Sequence, residues 1–218
     1  MHKLVIFDMD GLMFDTERLY YEANQKTADR IGIPFDYAFY RQFIGVSDKD
    51  FFKAMEERFE TNQVDQFKQE SVKDLRVLLE TTVPDQKKGL KELLTYLKDN
   101  GYKMVVASSS ERRLVLKLLE NAGLYAWFDG IVGGDEVQDS KPQPDIFLKA
   151  CDLIEGDVSK VLVLEDSLNG IKAAHQAGFP VVMVPDLIEP NAYARTLAQA
   201  ICEDLHEVLI KIKSENLI

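Results

Sequence analysis

The chain has 218 residues, 46% of them hydrophobic and 29% charged, with a formal net charge of −11 and a pI near 4.8. That balance excludes a basic nucleic-acid-binding stripe and a polybasic contact with anionic lipid. Two cysteines, Cys151 and Cys202, are too few and too far apart for a disulfide framework or a zinc site. Met1-His2-Lys3 runs directly into an apolar segment without a leader pattern, and no apolar run reaches about 18 residues. The expectation is a cytoplasmic protein that meets neither nucleic acid nor membrane, a monomer by default.

The first element is the apolar run Leu4–Phe7, which leads into Asp8-Met9-Asp10-Gly11. An unbroken Leu/Val/Ile/Phe run reads as a strand buried on both faces, as in a parallel sheet. Ligand sites of such sheets lie beyond the carboxyl ends of the strands, where Asp8 and Asp10 stand. Gly11 permits a sharp turn there. Residues 17–82 contain no convincing strand: Glu17–Ile31, Asp36–Ile44, Asp48–Phe59 and Val64–Thr82 read as helices, with Ser47 as an N-cap for the third. This block reads as a helical domain inserted into an α/β core formed by residues 1–16 and 83–218, with Pro84 marking the return.

The core then alternates. Helical spacing over Asp85–Asn100 precedes the strand Met104–Ala107. Glu111–Ala122 precedes a weaker strand at Gly130–Val132, and Pro144–Ile154 precedes Val161–Leu164. Leu168–Ala177 leads to Val181–Val184, and a last weak strand is expected at Gln199–Cys202. This rhythm predicts an α/β fold, a Rossmann-like doubly wound parallel sheet.

Polar residues follow each main strand: Asp8 and Asp10, then Ser108, Ser109 and Ser110, then Glu165 and Asp166. In one parallel sheet these ends share an edge, so three clusters distant in sequence converge on one crevice. Two carboxylates about 4 Å apart repel by about 4 kcal/mol at an effective dielectric near 20. Four of them call for a cation or shared protons, and oxygen donors without histidine or thiolate favour Mg²⁺. Lys141, in the Asp139-Ser140-Lys141-Pro142 loop, offers a charge to a carboxylate or a phosphate. Ser108 and Ser109 precede a helix start, a seat for phosphate, while Ser110 reads as a cap of that helix. His2, His175 and His206 show no ligand spacing.

With these four clusters the chain resembles the haloacid dehalogenase superfamily, in its phosphatase and phosphomutase branch. Asp8-Met9-Asp10-Gly11, Ser108, Lys141-Pro142 and Glu165-Asp166-Ser167 look like its four signatures in order, and the helical insert looks like its mobile cap. The resemblance implies Asp8 as nucleophile, forming an aspartyl-phosphate, and Asp10 as general acid and then base. It implies Mg²⁺ held by the Asp8 side chain, the Asp10 carbonyl and Asp166, with Glu165 in or near the shell, and a phosphoryl group held by Ser108, Ser109 and Lys141. A second acid/base aspartate points to phosphoryl transfer rather than carbon–halogen cleavage.

The expected partner is a small phosphate ester, selected by insert residues Thr16, Tyr20, Gly45, Val46 and Lys49. Mutases of the branch carry an arginine after the equivalent of Gly45-Val46-Ser47 and a histidine where Tyr20 stands. Here Asp48 follows the triplet, which favours hydrolysis. A β-phosphoglucomutase-type mutase and a non-catalytic phosphometabolite binder are the alternatives.

Overall fold

The computed structural model describes residues 2–43, 48–154, 158–215 and 217–218. Its six parallel strands are β1 (His2–Phe7), β2 (Lys103–Ala107), β3 (Gly130–Val132), β4 (Val158–Glu165), β5 (Val181–Met183) and β6 (Ala200–Ile201). They are ordered β3-β2-β1-β4-β5-β6. This is the doubly wound order in which the winding reverses between β1 and β4, the place where such sheets bind ligands. Leu4 to Phe7 are all fully buried, as an unbroken apolar run in a central parallel strand requires. Val5 pairs with Met104 on one side and Leu162 on the other.

Helices cover both faces. One cluster packs Leu4, Ile6, Val105, Val163, Ile146, Phe147 and Ile171 together. The helices of this unit are α5 (Leu90–Asp99), α6 (Arg112–Asn121), α7 (Asp145–Asp152), α8 (Leu168–Gln176), α9 (Ala192–Leu197) and α10 (Leu205–Glu215). α5 begins at Leu90, five residues later than its apolar spacing suggests. Gly89 adopts φ +87° there, and a Cβ on it would stand 2.1 Å from the backbone nitrogen of His206. Only glycine permits that approach to the start of α10.

The chain divides into two compact units, residues 1–15 with 84–218 and residues 16–83. The second unit holds α1 (Thr16–Ile31), α2 (Tyr37–Tyr40), α3 (Asp48–Arg58) and α4 (Thr61–Thr81). The helix expected over 36–44 is a single α-turn continued by a 3₁₀ turn, Arg41–Phe43. Asp36 caps it by accepting from the Phe39 N–H at 2.7 Å. Its core is aromatic, with Phe35, Phe39, Phe51 and Phe67 buried around Met55 and Val64. The Thr27 hydroxyl and the Arg30 guanidinium, 2.7 and 2.8 Å from Asp74, pin α1 to α4. Among the described residues no helix is long and apolar enough to cross a membrane.

Candidate active site

The site is built in the α/β unit, at the carboxyl ends of β1, β2 and β4. Beyond β1 the Asp8 N–H still donates to the Leu164 carbonyl at 3.0 Å, so Asp8 is held in sheet register. The chain then turns. The Met9 carbonyl accepts from Met13 and Phe14 at 2.9 and 3.2 Å, and Gly11 adopts φ +81°. A Cβ on Gly11 would lie 2.4 Å from Asp166 Oδ2, so the glycine lets the β1 loop and the Asp166 carboxylate come together.

Lys141 is the centre of the cluster. Its ammonium donates to Asp8 Oδ1 at 2.5 Å, to Glu165 Oε1 at 2.7 Å and to the Ala107 carbonyl at 3.3 Å, which uses its three donors. The side chains of Lys141 and Asp8 are 6% and 8% exposed, and that of Glu165 is fully buried. Burial is the largest influence on Asp8 and pushes its carboxyl up. Lys141 pulls the other way, and the Glu165 and Asp10 charges add to the rise. Burial pulls the Lys141 ammonium down, but Asp8 and Glu165 outweigh it and hold it above the usual lysine range. Asp166 is likewise raised, first by burial and then by Glu165 and Asp8.

Glu165 is committed on both oxygens. Its Oε2 accepts from the Ser167 N–H at 2.8 Å and the Ser167 hydroxyl at 2.9 Å. The same Ser167 caps α8 by accepting from the Gly170 N–H at 3.0 Å. Asp8, Glu165 and Asp166 each offer an oxygen, all within 4.8 Å of one another. Three carboxylates and one ammonium leave two negative charges uncompensated, and the donors are all oxygens. That set fits a hard divalent cation. The Asp10 carboxylate is not in this trio.

Asp10 instead meets the loop after β2. Its Oδ2 accepts from the Ser108 hydroxyl at 3.1 Å and the Ser110 hydroxyl at 3.0 Å, while its Oδ1 is buried with no hydrogen-bond partner among the described residues. Ser108 is fully buried, and Ser109 is exposed. Ser110 was expected to cap α6. The structure corrects this: the Arg112 N–H in the first turn of α6 donates to Asp135 at 2.7 Å, and the Ser110 hydroxyl serves Asp10.

Sequence reasoning also missed the pair made by Lys87 and Asp186, 2.6 Å apart. Asp186 stands near Asp166, for its Oδ2 would lie 3.3 Å from the same Cβ on Gly11. Of the insert residues, Thr16 opens α1, and Tyr20 packs against the aromatic core of the helical unit. Gly45, Val46 and the Ser47 cap lie outside the described residues. Lys49 lies in the first turn of α3, its side chain outside the description.

Comparison with known proteins agrees with this geometry. Residues 5–184 match the family model described as haloacid dehalogenase-like hydrolase. The chain is 32% identical over 214 residues to a phosphorylated carbohydrates phosphatase of Thermotoga maritima, covering 94% of this chain and 99% of that protein. It is 29% identical to β-phosphoglucomutase of Bacillus subtilis, over 94% of each chain. A crystal structure described as a putative β-phosphoglucomutase from Thermotoga maritima superposes with a TM-score of 0.82 at 29% identity, over 97% of this chain and 98% of that one. With β1, β2 and β4 carrying the signature residues to one edge of the expected sheet, the chain belongs to the haloacid dehalogenase-like hydrolases, in the branch of phosphatases and phosphomutases.

Proposed function

We propose that this protein is a Mg²⁺-dependent phosphatase of small phosphate esters that works through a phosphorylated Asp8. The observation that carries the reading is the trio of buried Asp8 and Glu165 with half-buried Asp166, and Lys141 between the first two. Asp8 and Asp166, with the Asp10 carbonyl, would hold the ion, and Glu165 would steady the site through Lys141 and Ser167. When bound, the ion neutralises the approach of carboxylate to phosphoryl and stabilises charge on the transferring group.

The residues divide the remaining work. Asp8 attacks phosphorus with the oxygen not held by Lys141, and the leaving oxygen takes a proton from Asp10. Water then attacks the aspartyl-phosphate as Asp10 takes its proton back. Lys141 and the Ser108 hydroxyl would serve the phosphoryl oxygens by turning from the carboxylates that they hold in the free site, Asp8 and Glu165 for the lysine and Asp10 for the serine. Exposed Ser109 contributes its backbone N–H in this reading. The helical insert, residues 17–82, acts as the cap that selects the ester, with Thr16, Tyr20, Gly45, Val46 and Lys49 as candidates. The named activity of the Thermotoga maritima relative supports a phosphorylated carbohydrate as the substrate class.

The mutase reading has one observation in its favour, the likeness to β-phosphoglucomutase. Asp48 stands against it, since a carboxylate at that grip repels a second phosphate. Phosphate release from a panel of phosphorylated metabolites, with Mg²⁺ and with chelator, tests the proposal. Turnover should need Mg²⁺ and vanish in Asp8→Asn; activity surviving either change would overturn it. Conversion of β-glucose 1-phosphate to glucose 6-phosphate, primed with the bisphosphate and without net phosphate release, would establish the mutase instead.

A further inference from the structure

The loop after β2 holds Asp10 in an unusual way. Both serine hydroxyls, Ser108 and Ser110, donate to the same oxygen, Oδ2, at 3.1 and 3.0 Å. A carboxylate oxygen offers two lone pairs in its plane, and here both are taken. Oδ1 is buried and has no hydrogen-bond partner among the described residues. A proton carried by Asp10 therefore resides on Oδ1, because placing it on Oδ2 would displace one of the two hydroxyls.

Neither serine has another use for its hydroxyl proton. Ser108 Oγ accepts from the Ser110 N–H at 3.0 Å, which leaves its own O–H to point at Asp10. Glu111 at the N-cap of α6 makes no side-chain capping bond, and the Arg112 N–H is taken by Asp135. The loop is also braced from behind. The Gly134 N–H donates to the Ser110 carbonyl at 2.8 Å, and a Cβ on Gly134 would lie 2.2 Å from the Ser109 carbonyl oxygen. The backbone of the turn after β3 thus backs directly onto the serine loop.

We propose that Ser110 is a positioning residue: it keeps its hydroxyl on Asp10 Oδ2 when Ser108 turns to the phosphoryl group, and so fixes Oδ1 as the atom that gives and takes the proton. This rests on the phosphatase reading above. In the first step the bond from phosphorus to the leaving oxygen breaks, the bond to the Asp8 carboxylate forms, and the Oδ1 proton passes to the leaving oxygen. In the second, water oxygen bonds to phosphorus, the Asp8–phosphorus bond breaks, and a water proton returns to Oδ1. Ser110 exchanges no proton in either step.

The test compares alkyl phosphates, whose alkoxide needs a proton to depart, with aryl phosphates of acidic phenols, which need little help. kcat/KM reports the steps up to loss of the leaving group, so the later hydrolysis of phospho-Asp8 does not enter it. General acid–base catalysis contributes about 10²–10⁴-fold. Ser110→Ala should lower the alkyl-to-aryl ratio of kcat/KM by about tenfold or more as that contribution is partly lost. Ser110→Thr, which keeps the hydroxyl, should restore most of it. Asp10→Ala measures the full effect. If Asp10→Ala collapses the ratio while Ser110→Ala leaves it unchanged, or lowers both substrates equally, the role of Ser110 is overturned and the phosphatase reading stands. If Asp10→Ala also leaves the ratio unchanged, the acid role of Asp10 falls and this inference with it.

Discussion

Gly170 is the position where a single methyl group discriminates most sharply. It lies in the first turn of α8, where replacing glycine by alanine normally stabilises by at most about 1 kcal/mol. Here a Cβ would stand 1.7 Å from Glu165 Oε1 and 1.8 Å from its Cδ. Clearance to ordinary contact requires the carboxylate to move by about 1.5 Å, given donor–acceptor and packing distances above 3 Å. That movement breaks its bonds to Lys141, the Ser167 N–H and the Ser167 hydroxyl, at 2.7, 2.8 and 2.9 Å. Glu165 is fully buried, so no water replaces them. A buried charge stripped of its partners costs about 3–5 kcal/mol, which exceeds the propensity gain. Gly170→Ala is therefore expected to destabilise by roughly 3 kcal/mol net, read by urea unfolding, and to lower Tm by about 6–12 °C for a chain of this size. Gly178→Ala is the control. Its φ is +77° and nothing lies within 4 Å of its Cβ, so only left-handed strain of about 1–2 kcal/mol applies. If Gly170→Ala is neutral or stabilising, the close approach of Glu165 to α8 is wrong, and so is the reasoning that makes Gly170 part of the site.

Other changes test the cluster and the helical unit separately. Lys141→Met leaves Asp8 and Glu165 facing each other in a buried site and should cost about 3–5 kcal/mol at about pH 9 without metal. The loss should shrink as pH falls below about 8, where the raised Asp8 carboxyl takes a proton; a loss under 1 kcal/mol at about pH 9 would count against the buried pair. Asp8 and Asp166 are both raised, so protons compete with a metal for them. Mg²⁺ should raise Tm, by about 2.7 kcal/mol in stability at 100 times its Kd, with affinity that weakens from pH 8 to pH 6. A Tm insensitive to Mg²⁺ at pH 8 would refute the donor set. Asp74 is held below the usual carboxylate range, first by the Thr27 hydroxyl. A lowered carboxyl contributes stability above its unfolded value, and that contribution is lost as pH falls through the folded one. Thr27→Val should move Asp74 back up and cost about 1 kcal/mol, read by carboxyl NMR titration and by an acid-unfolding midpoint at higher pH.

The parts of the site that local pattern could announce were legible in the sequence alone. Leu4–Phe7 had to be a central strand because no polar residue interrupts it, and Asp8 and Asp10 had to follow at its carboxyl end. The convergence of Ser108, Glu165 and Asp166 followed from parallel strands alone. What escaped depends on contacts between distant residues. Nothing local distinguishes Ser109 from Ser110; the choice is made by Gly134 pressing the loop, which sends one hydroxyl to Asp10 and leaves the other exposed. Gly89 looked like an ordinary helix residue until the start of α10 was found against it. α10 itself was not among the elements expected from the sequence, although Leu205, Val208, Leu209 and Ile212 follow helical spacing and are buried. Lys87 and Asp186 are 99 positions apart and carry no pattern at all.

The charge balance of the site explains why an acidic protein can turn over an anion. Asp8, Asp10, Glu165, Asp166 and Asp186 gather near one strand edge, with Lys141 and Lys87 as their paired ammonium groups. An incoming phosphate ester adds up to two more negative charges. At about 4 Å and an effective dielectric near 20, each like pair costs about 4 kcal/mol, so substrate and empty carboxylate cluster exclude each other. A divalent cation removes both repulsions at once, between the carboxylates and between them and the ester. Lys141 cannot do this alone, because Asp8, Glu165 and the Ala107 carbonyl already take its three donors. The lysine sets the spacing of the two carboxylates, and under the proposed function the charge that admits the substrate would come from the metal. Metal and phosphate should therefore bind with strong mutual preference, and by reciprocity each raises the affinity of the other by the same factor.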